Sequence, residues 1–368
     1  MYQLQTRESY RLGIAILVLS IIGLLSLASA QTVVATGLNN PMGVMVAPDG
    51  SLWVADSGVG GDTSMEMPNP ETGEMMTVTM GDTARVVRIG SDGTESVMAA
   101  LPSLNLGMEF VGAARIARIG VNTYVTNNAW LGEIPLERPP LMASVVKISR
   151  SGAVSEASNI WALEDSQNPD GFIKESHPWD LAASPDGMLY VADAGGNMLL
   201  KVNPLNGRAE VVTVFDGLPG PFPNPARGGA EESDPVPTGV VVGADGSVYV
   251  SFLPGFPFLP GSAKVVKVHA DGSVEDFAGG LTMVTDLGMG PDGNLYAVQL
   301  AIFSEQGPVP NSGALVRIHP DGQTETVLDG LSFPTGVDFN RAGDAYVIVN
   351  GVGAPGSGEV HRFDGVAQ

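Results

Sequence analysis

The chain has 368 residues, 18 Lys and Arg against 40 Asp and Glu, a formal net charge of -22, and no cysteine. Basic residues scattered singly cannot form the clustered cationic surface that phosphate backbones require, which excludes nucleic acid as a partner and disfavours acidic substrates. Without cysteine there is no disulfide framework and no lipid-anchored N-terminus, so the fold must rest on its core.

The first element is not part of that fold. Arg7 and Arg11 precede an apolar run from Leu12 to Leu27, and Ala28-Ser29-Ala30 is a small-x-small cleavage site. Residues 1–30 read as a signal peptide, because the run is shorter than the ~20 residues a spanning helix prefers. A retained N-terminal anchor is the competing reading. Cleavage leaves residues 31–368 as one secreted domain, periplasmic or extracellular, with no integral membrane span.

Six aromatics, Trp53, Tyr124, Tyr190, Tyr249, Tyr296 and Tyr346, occupy one position of a recurring phrase. Their spacing of roughly fifty to seventy residues is that of propellers or solenoids. The clearest copy runs Asp180 to Ala183, turn Pro185-Asp186-Gly187, Leu189 to Asp193, Met198 to Asn203, turn Asn206-Gly207, then Ala209 to Phe215. Asp-Gly and Asn-Gly supply the positive φ of tight hairpins, and four antiparallel strands per copy make a propeller blade. The last copy lacks its fourth strand, and Gln31 to Leu38 matches the fourth-strand ending Glu325 to Leu331. The predicted fold is therefore all-β: a six-bladed β-propeller of four-stranded antiparallel blades, closed when the N-terminal strand completes the last blade. The six aromatics are expected in the core, each contributing on the order of 1.5 to 3 kcal/mol.

Turns between first and second strands, and between third and fourth, are short throughout. The long segments, including 57–84, 128–143, 164–176, 218–235, 253–261 and 301–313, join the other strand ends and so gather on one face, where loops on a rigid scaffold carry recognition. First strands enter the central channel from that face. Polar residues near the entries, Asn40, His177, Asp180, Thr238, Thr335 and Asp338, are the candidate ligand-binding set. Glu109, Asp180 and Asp286 are candidate ligands for Ca²⁺, which prefers oxygen donors. Equally, the aspartates could accept backbone N–H bonds where the chain turns into the channel. Met65, Met67, Met75, Met76 and Met80 read as an adaptable apolar loop, with Cu(I) as the soft-ion alternative. The Pro-rich stretch from Phe252 to Pro260 reads as a hydrophobic lip.

The phrases Asn40-Pro41-Met42-Gly43-Val44, Ala47-Pro48-Asp49-Gly50-Ser51-Leu52-Trp53-Val54-Ala55-Asp56 and Ser184 to Asp193 resemble the NHL and SMP-30/gluconolactonase class of six-bladed propellers. Within that class, Thr36-Gly37-Leu38-Asn39-Asn40-Pro41 and Ala84-Arg85-Val86-Val87-Arg88-Ile89 resemble the ScyD/ScyE family, which implies a link to scytonemin-like secondary metabolism. Lactonase-like members of the class set carboxylates around a divalent cation in the channel, a role the resemblance would give Glu109 and Asp286, with Asp180 as a base. The expected function is a monomeric binding protein whose long-loop face takes a small molecule, a polysaccharide or an envelope protein. The alternative is a Ca²⁺-dependent lactonase, hydrolase or lyase using the channel carboxylates.

Overall fold

The computed structural model describes residues 30–69, 73–107 and 109–368, so the signal peptide expected over residues 1–30 falls almost wholly outside them. Among the described residues the chain is built of strands, with one α-helix, Trp161–Gln167, and one 3-10 turn, Pro225–Arg227. Six sheets of four or more strands succeed one another along the chain, and three two-stranded ribbons sit on the connections. No helix among the described residues is long and apolar enough to cross a membrane.

The first strand of each large sheet lies at one edge. These strands are Pro41–Val46, Ala113–Ile119, Pro178–Ala183, Pro237–Val242, Val284–Met289 and Gly336–Phe339; each touches the next, and the sixth touches the first. The approach is close enough to dictate residue type. A Cβ on Gly43 would stand 2.3 Å from the Ala114 carbonyl oxygen, and one on Gly336 2.7 Å from that of Met42. Second strands are enclosed on both faces by neighbouring sheets, leaving Val54, Val125, Val191, Val250 and Val347 with 0% exposure. Gln31–Leu38 pairs antiparallel with Gly358–Phe363, Gln31 opposite Phe363 and Leu38 opposite Gly358, and so supplies the last sheet with its fourth strand.

Polar side chains fasten neighbouring sheets together at this inner edge. Asp180 accepts from the Val240 N–H at 2.6 Å, Asp286 from Val337 at 2.8 Å and Asp338 from Val46 at 2.6 Å. Each also accepts from the residue that follows it, Leu181, Leu287 or Phe339. Hydroxyls do the same work from the donor side: Thr238 to the Val284 carbonyl at 2.5 Å, Thr335 to Pro41 at 2.7 Å, Thr126 to Trp179 at 3.0 Å and Ser57 to Ala113 at 2.9 Å. All six sheet-to-sheet junctions, including last to first, carry such a bond. A buried carboxylate with two or more backbone donors satisfies itself and the strand it reaches.

Two sequence expectations change. The methionine-rich segment is a hairpin rather than a loop: Thr63–Pro68 pairs with the long strand Met75–Ile89, placing Met65 opposite Val78 and Met67 opposite Met76. Alternating Thr77, Val78, Thr79 and Met80 suits a pleated strand, and Met67 (1% exposed) packs with Val78, Leu104, Trp130 and Met142. Met65, Met67, Met76 and Met80 belong to an apolar cluster, whereas Met75 is 64% exposed. The second inner strand starts at Ala113, because Phe110–Val111 pairs back onto the first sheet. Of the six aromatics, Trp53, Tyr124 and Tyr296 are buried, whereas Tyr190, Tyr249 and Tyr346 are half-buried. Lys201 and Lys267 lie over the Tyr190 and Tyr249 rings, so a lysine covers what a neighbouring sheet leaves open.

Candidate functional site

Antiparallel pairing puts every short turn at one end of the sheets and the long connections at the other. At the long-loop end, a residue one or two places after each second strand donates its N–H to the carbonyl of the residue just before the first strand or its opening proline. The six pairs are Ser57 to Asn40, Asn128 to Gly112, Ala194 to His177, Leu253 to Val236, Leu300 to Met283 and Gly351 to Phe333, at 2.8 to 3.1 Å. They form the rim of the channel mouth.

The rim is chemically divided. Sheets one to three contribute Asn40, Ser57, Asn128 and His177. Sheets four to six contribute Leu253, Met283, Leu300 and Phe333, backed by Phe258 and Phe303, whose ring centroids are 4.9 Å apart, and Val236, which packs with Met42, Trp179 and Ala194. Beyond them Phe256, at 70% exposure, stands out into solvent. On the polar half, Asn40 Oδ1, Asn128 Oδ1 and His177 Nε2 are buried and have no hydrogen-bond partner. Asn40 Nδ2 already donates to the Gly58 carbonyl at 2.9 Å. Burial pushes the His177 imidazole down to about 4, so the ring is neutral at neutral pH. It lies 5.1 Å from the Trp179 ring. The polar half thus offers uncharged hydrogen-bonding atoms, and the opposite half offers apolar and aromatic surface.

The other predicted site residues are committed elsewhere. Thr238, Thr335, Asp180 and Asp338 make the inter-sheet bonds described above. Glu109 is exposed, in a turn where its carbonyl accepts the Leu106 N–H at 2.8 Å. Asp286 is held by an arginine that the sequence reading passed over. Arg115, 5% exposed, projects from the second sheet, and its Nε donates to Asp286 Oδ1 at 3.1 Å. Its Nη1 donates to the carbonyls of Met42 and Ala114, and its Nη2 to those of Thr285 at 2.6 Å and Thr335 at 2.8 Å. Trp179 Nε1 reaches the same Thr285 carbonyl at 3.0 Å. No signal local to Arg115 could reveal this, since its partners lie at positions 42, 285, 286 and 335.

Ca²⁺ needs six to eight free oxygens. Among the described residues no three carboxylate, histidine or cysteine side chains converge as a metal cluster; Asp180 and Asp286 are neighbours, and Glu109 lies in an exposed turn. The Asp286 and Asp180 oxygens are spent on N–H donors. Burial, then the neighbouring Asp286, raises the Asp180 pKa, against the pull of Arg115.

Comparison with known proteins agrees with this architecture. Among solved structures, a gluconolactonase of Xanthomonas campestris aligns with a TM-score of 0.55 at 13% identity, over 91% of this chain and 89% of that one. A calcium-binding regucalcin of Agrobacterium tumefaciens gives 0.51 at 12%, over 91% and 93%. At such identities the likeness is one of fold, and both are propeller-like proteins of one class. No curated protein matches the chain. The family model described as SMP-30/Gluconolactonase/LRE-like region matches residues 155–352, more than half of the sequence, and the chain belongs to that family.

Proposed function

We propose that this chain is a secreted, monomeric six-bladed propeller, closed by its N-terminal strand, which binds an uncharged amphipathic small molecule at the channel mouth. The observation that carries the reading is the divided rim. Two buried amide oxygens and a buried imidazole nitrogen, none with a partner, suit a ligand that hydrogen-bonds through hydroxyl or amide groups, while the aromatic half suits a flat apolar body. A buried acceptor left unmade costs about 1 to 3 kcal/mol, and a bound donor removes that cost. None of the rim side chains named above carries a charge, which favours neutral ligands over ions. The resemblance to the ScyD/ScyE family gives such a ligand a place in secondary metabolism, and a neutral polysaccharide end or an envelope protein offers related chemistry.

The test uses 2-naphthyl β-glucoside, which carries hydroxyls at one end and a flat apolar ring at the other. It should raise the unfolding midpoint of the chain from Gln31 to Gln368, whereas glucose alone and naphthalene sulfonate should not. The double variant Asn40→Leu, His177→Phe should lose the response while remaining folded. Equal responses from all three compounds would sink the reading. The alternative, a metal-dependent lactonase or lyase, draws on the family and on the names of its structural neighbours. It predicts Ca²⁺-dependent lactone turnover that Asp286→Asn abolishes.

A further inference from the structure

A guanidinium carries five N–H donors in a rigid fork. All five of those on Arg115 are used: one by the Asp286 carboxylate and four by main-chain carbonyls. The acceptors come from the inner strands of sheets one, two, five and six. The guanidinium is therefore enclosed by a carboxylate and four carbonyl oxygens, an all-oxygen donor set of the kind that holds a hard cation. We propose that Arg115 is the resident cation of this channel, a tethered guanidinium that occupies the place of a bound metal ion and locks opposite sheets together.

Three features support the assignment over an ordinary buried ion pair. A pair needs only one carboxylate, whereas here most donors go to carbonyls that inner strands turn toward the axis. The Thr285 carbonyl is shared between Arg115 and the indole of Trp179, which brings the third sheet into the same knot. The inner edge is also otherwise acidic, with Asp180, Asp286 and Asp338 at its junctions, and each accepts N–H bonds rather than a second cation. An uncompensated cluster of this kind calls for one positive charge, and Arg115 brings it without dependence on metal supply. The proposal does not rest on the ligand reading of the rim, and the two can fail separately.

Thermal unfolding of residues 31–368 tests it. Chelation of the wild-type protein followed by Ca²⁺ or Mg²⁺ addition should leave the midpoint unmoved. Arg115→Ala should lower it by about 5 °C or more, since removing one partner strands a buried carboxylate and its carbonyl neighbours. Low-millimolar methylguanidinium should recover part of that loss, and methylammonium at the same concentration should not. If Arg115→Ala does not fold, Arg115→Lys keeps the charge without the fork and should fold with a lowered midpoint. A wild-type midpoint that rises with Ca²⁺ overturns the proposal, as does an Arg115 variant as stable as wild type.

Discussion

Glu164 shows how the fold sets the protonation of a single residue. It sits on the short helix Trp161–Gln167 with 0% exposure, and neither carboxyl oxygen has a well-formed hydrogen bond. Burial, then the negative charges of Asp193 and Asp170, push its pKa up to about 8 against the weaker pull of Lys174 and the Glu175 N–H. Asp193, whose oxygens take the Ser176 hydroxyl and the His177 N–H, is raised to about 6, mainly by burial. A carboxyl whose folded pKa lies above its unfolded value holds a proton that the unfolded chain has released. The stability it contributes is fully present below about pH 4.5 and is lost as pH rises through 8. Glu164→Gln should therefore raise the midpoint at pH 8.5 by roughly 2 °C or more and change little at pH 5; parallel melts at the two pH values check it, and an equal shift at both would contradict it. Sequence reasoning reached some of this scale and missed the rest. Asn40 and His177 were legible because repeat phase places the residue before each first strand at the mouth. Arg115 and Glu164 were not, because their meaning lies in partners brought from distant sheets or in the lack of any.

At the scale of elements, the methionine-rich hairpin is the part whose structural role differs most from its appearance in sequence. Met67 and Val78 close a cluster that also contains Trp130, Ile134 and Met142, so Thr63–Pro68 and the long strand hold down the 128–143 connection of the next sheet. Met67→Ala should cost about 2 to 4 kcal/mol of that local packing. Limited proteolysis should then cut within 128–143 faster, while the midpoint of the whole molecule falls less than the local loss. Unchanged cleavage there would show that the hairpin is independent of its neighbour. Most strands were readable from the sequence. Leu189-Tyr190-Val191-Ala192-Asp193 between Asp186-Gly187 and Gly195-Gly196-Asn197 can be little else, and the observed strand has those bounds. The hairpin escaped because methionine fits strand, helix and loop equally well, and only Thr77 to Met80 alternates.

Across the whole molecule, the last sheet is fastened to the first in two places of different kind. At the inner edge Asp338 and Thr335 reach Val46 and Pro41 across the junction. At the outer edge Gln31–Leu38 adds a whole strand to Gly358–Phe363, with Ala35 and Leu38 buried against Val54, Val87 and Val360. The inner bonds are few and depend on a channel already assembled, whereas the strand supplies a ladder and apolar contacts from residues distant in sequence. A chain that begins at Asn39 keeps the inner bonds and loses the ladder. It also leaves Gly358–Phe363 as an unpaired edge, open to pairing with a second molecule. Such a chain should unfold about 10 °C or more below one that begins at Gln31 and should self-associate as concentration rises. Melting curves and light scattering on the two chains decide the matter: a monomeric shortened chain with an unchanged midpoint would mean that the inner bonds alone hold the ring, and a lowered midpoint with association would assign closure to the N-terminal strand.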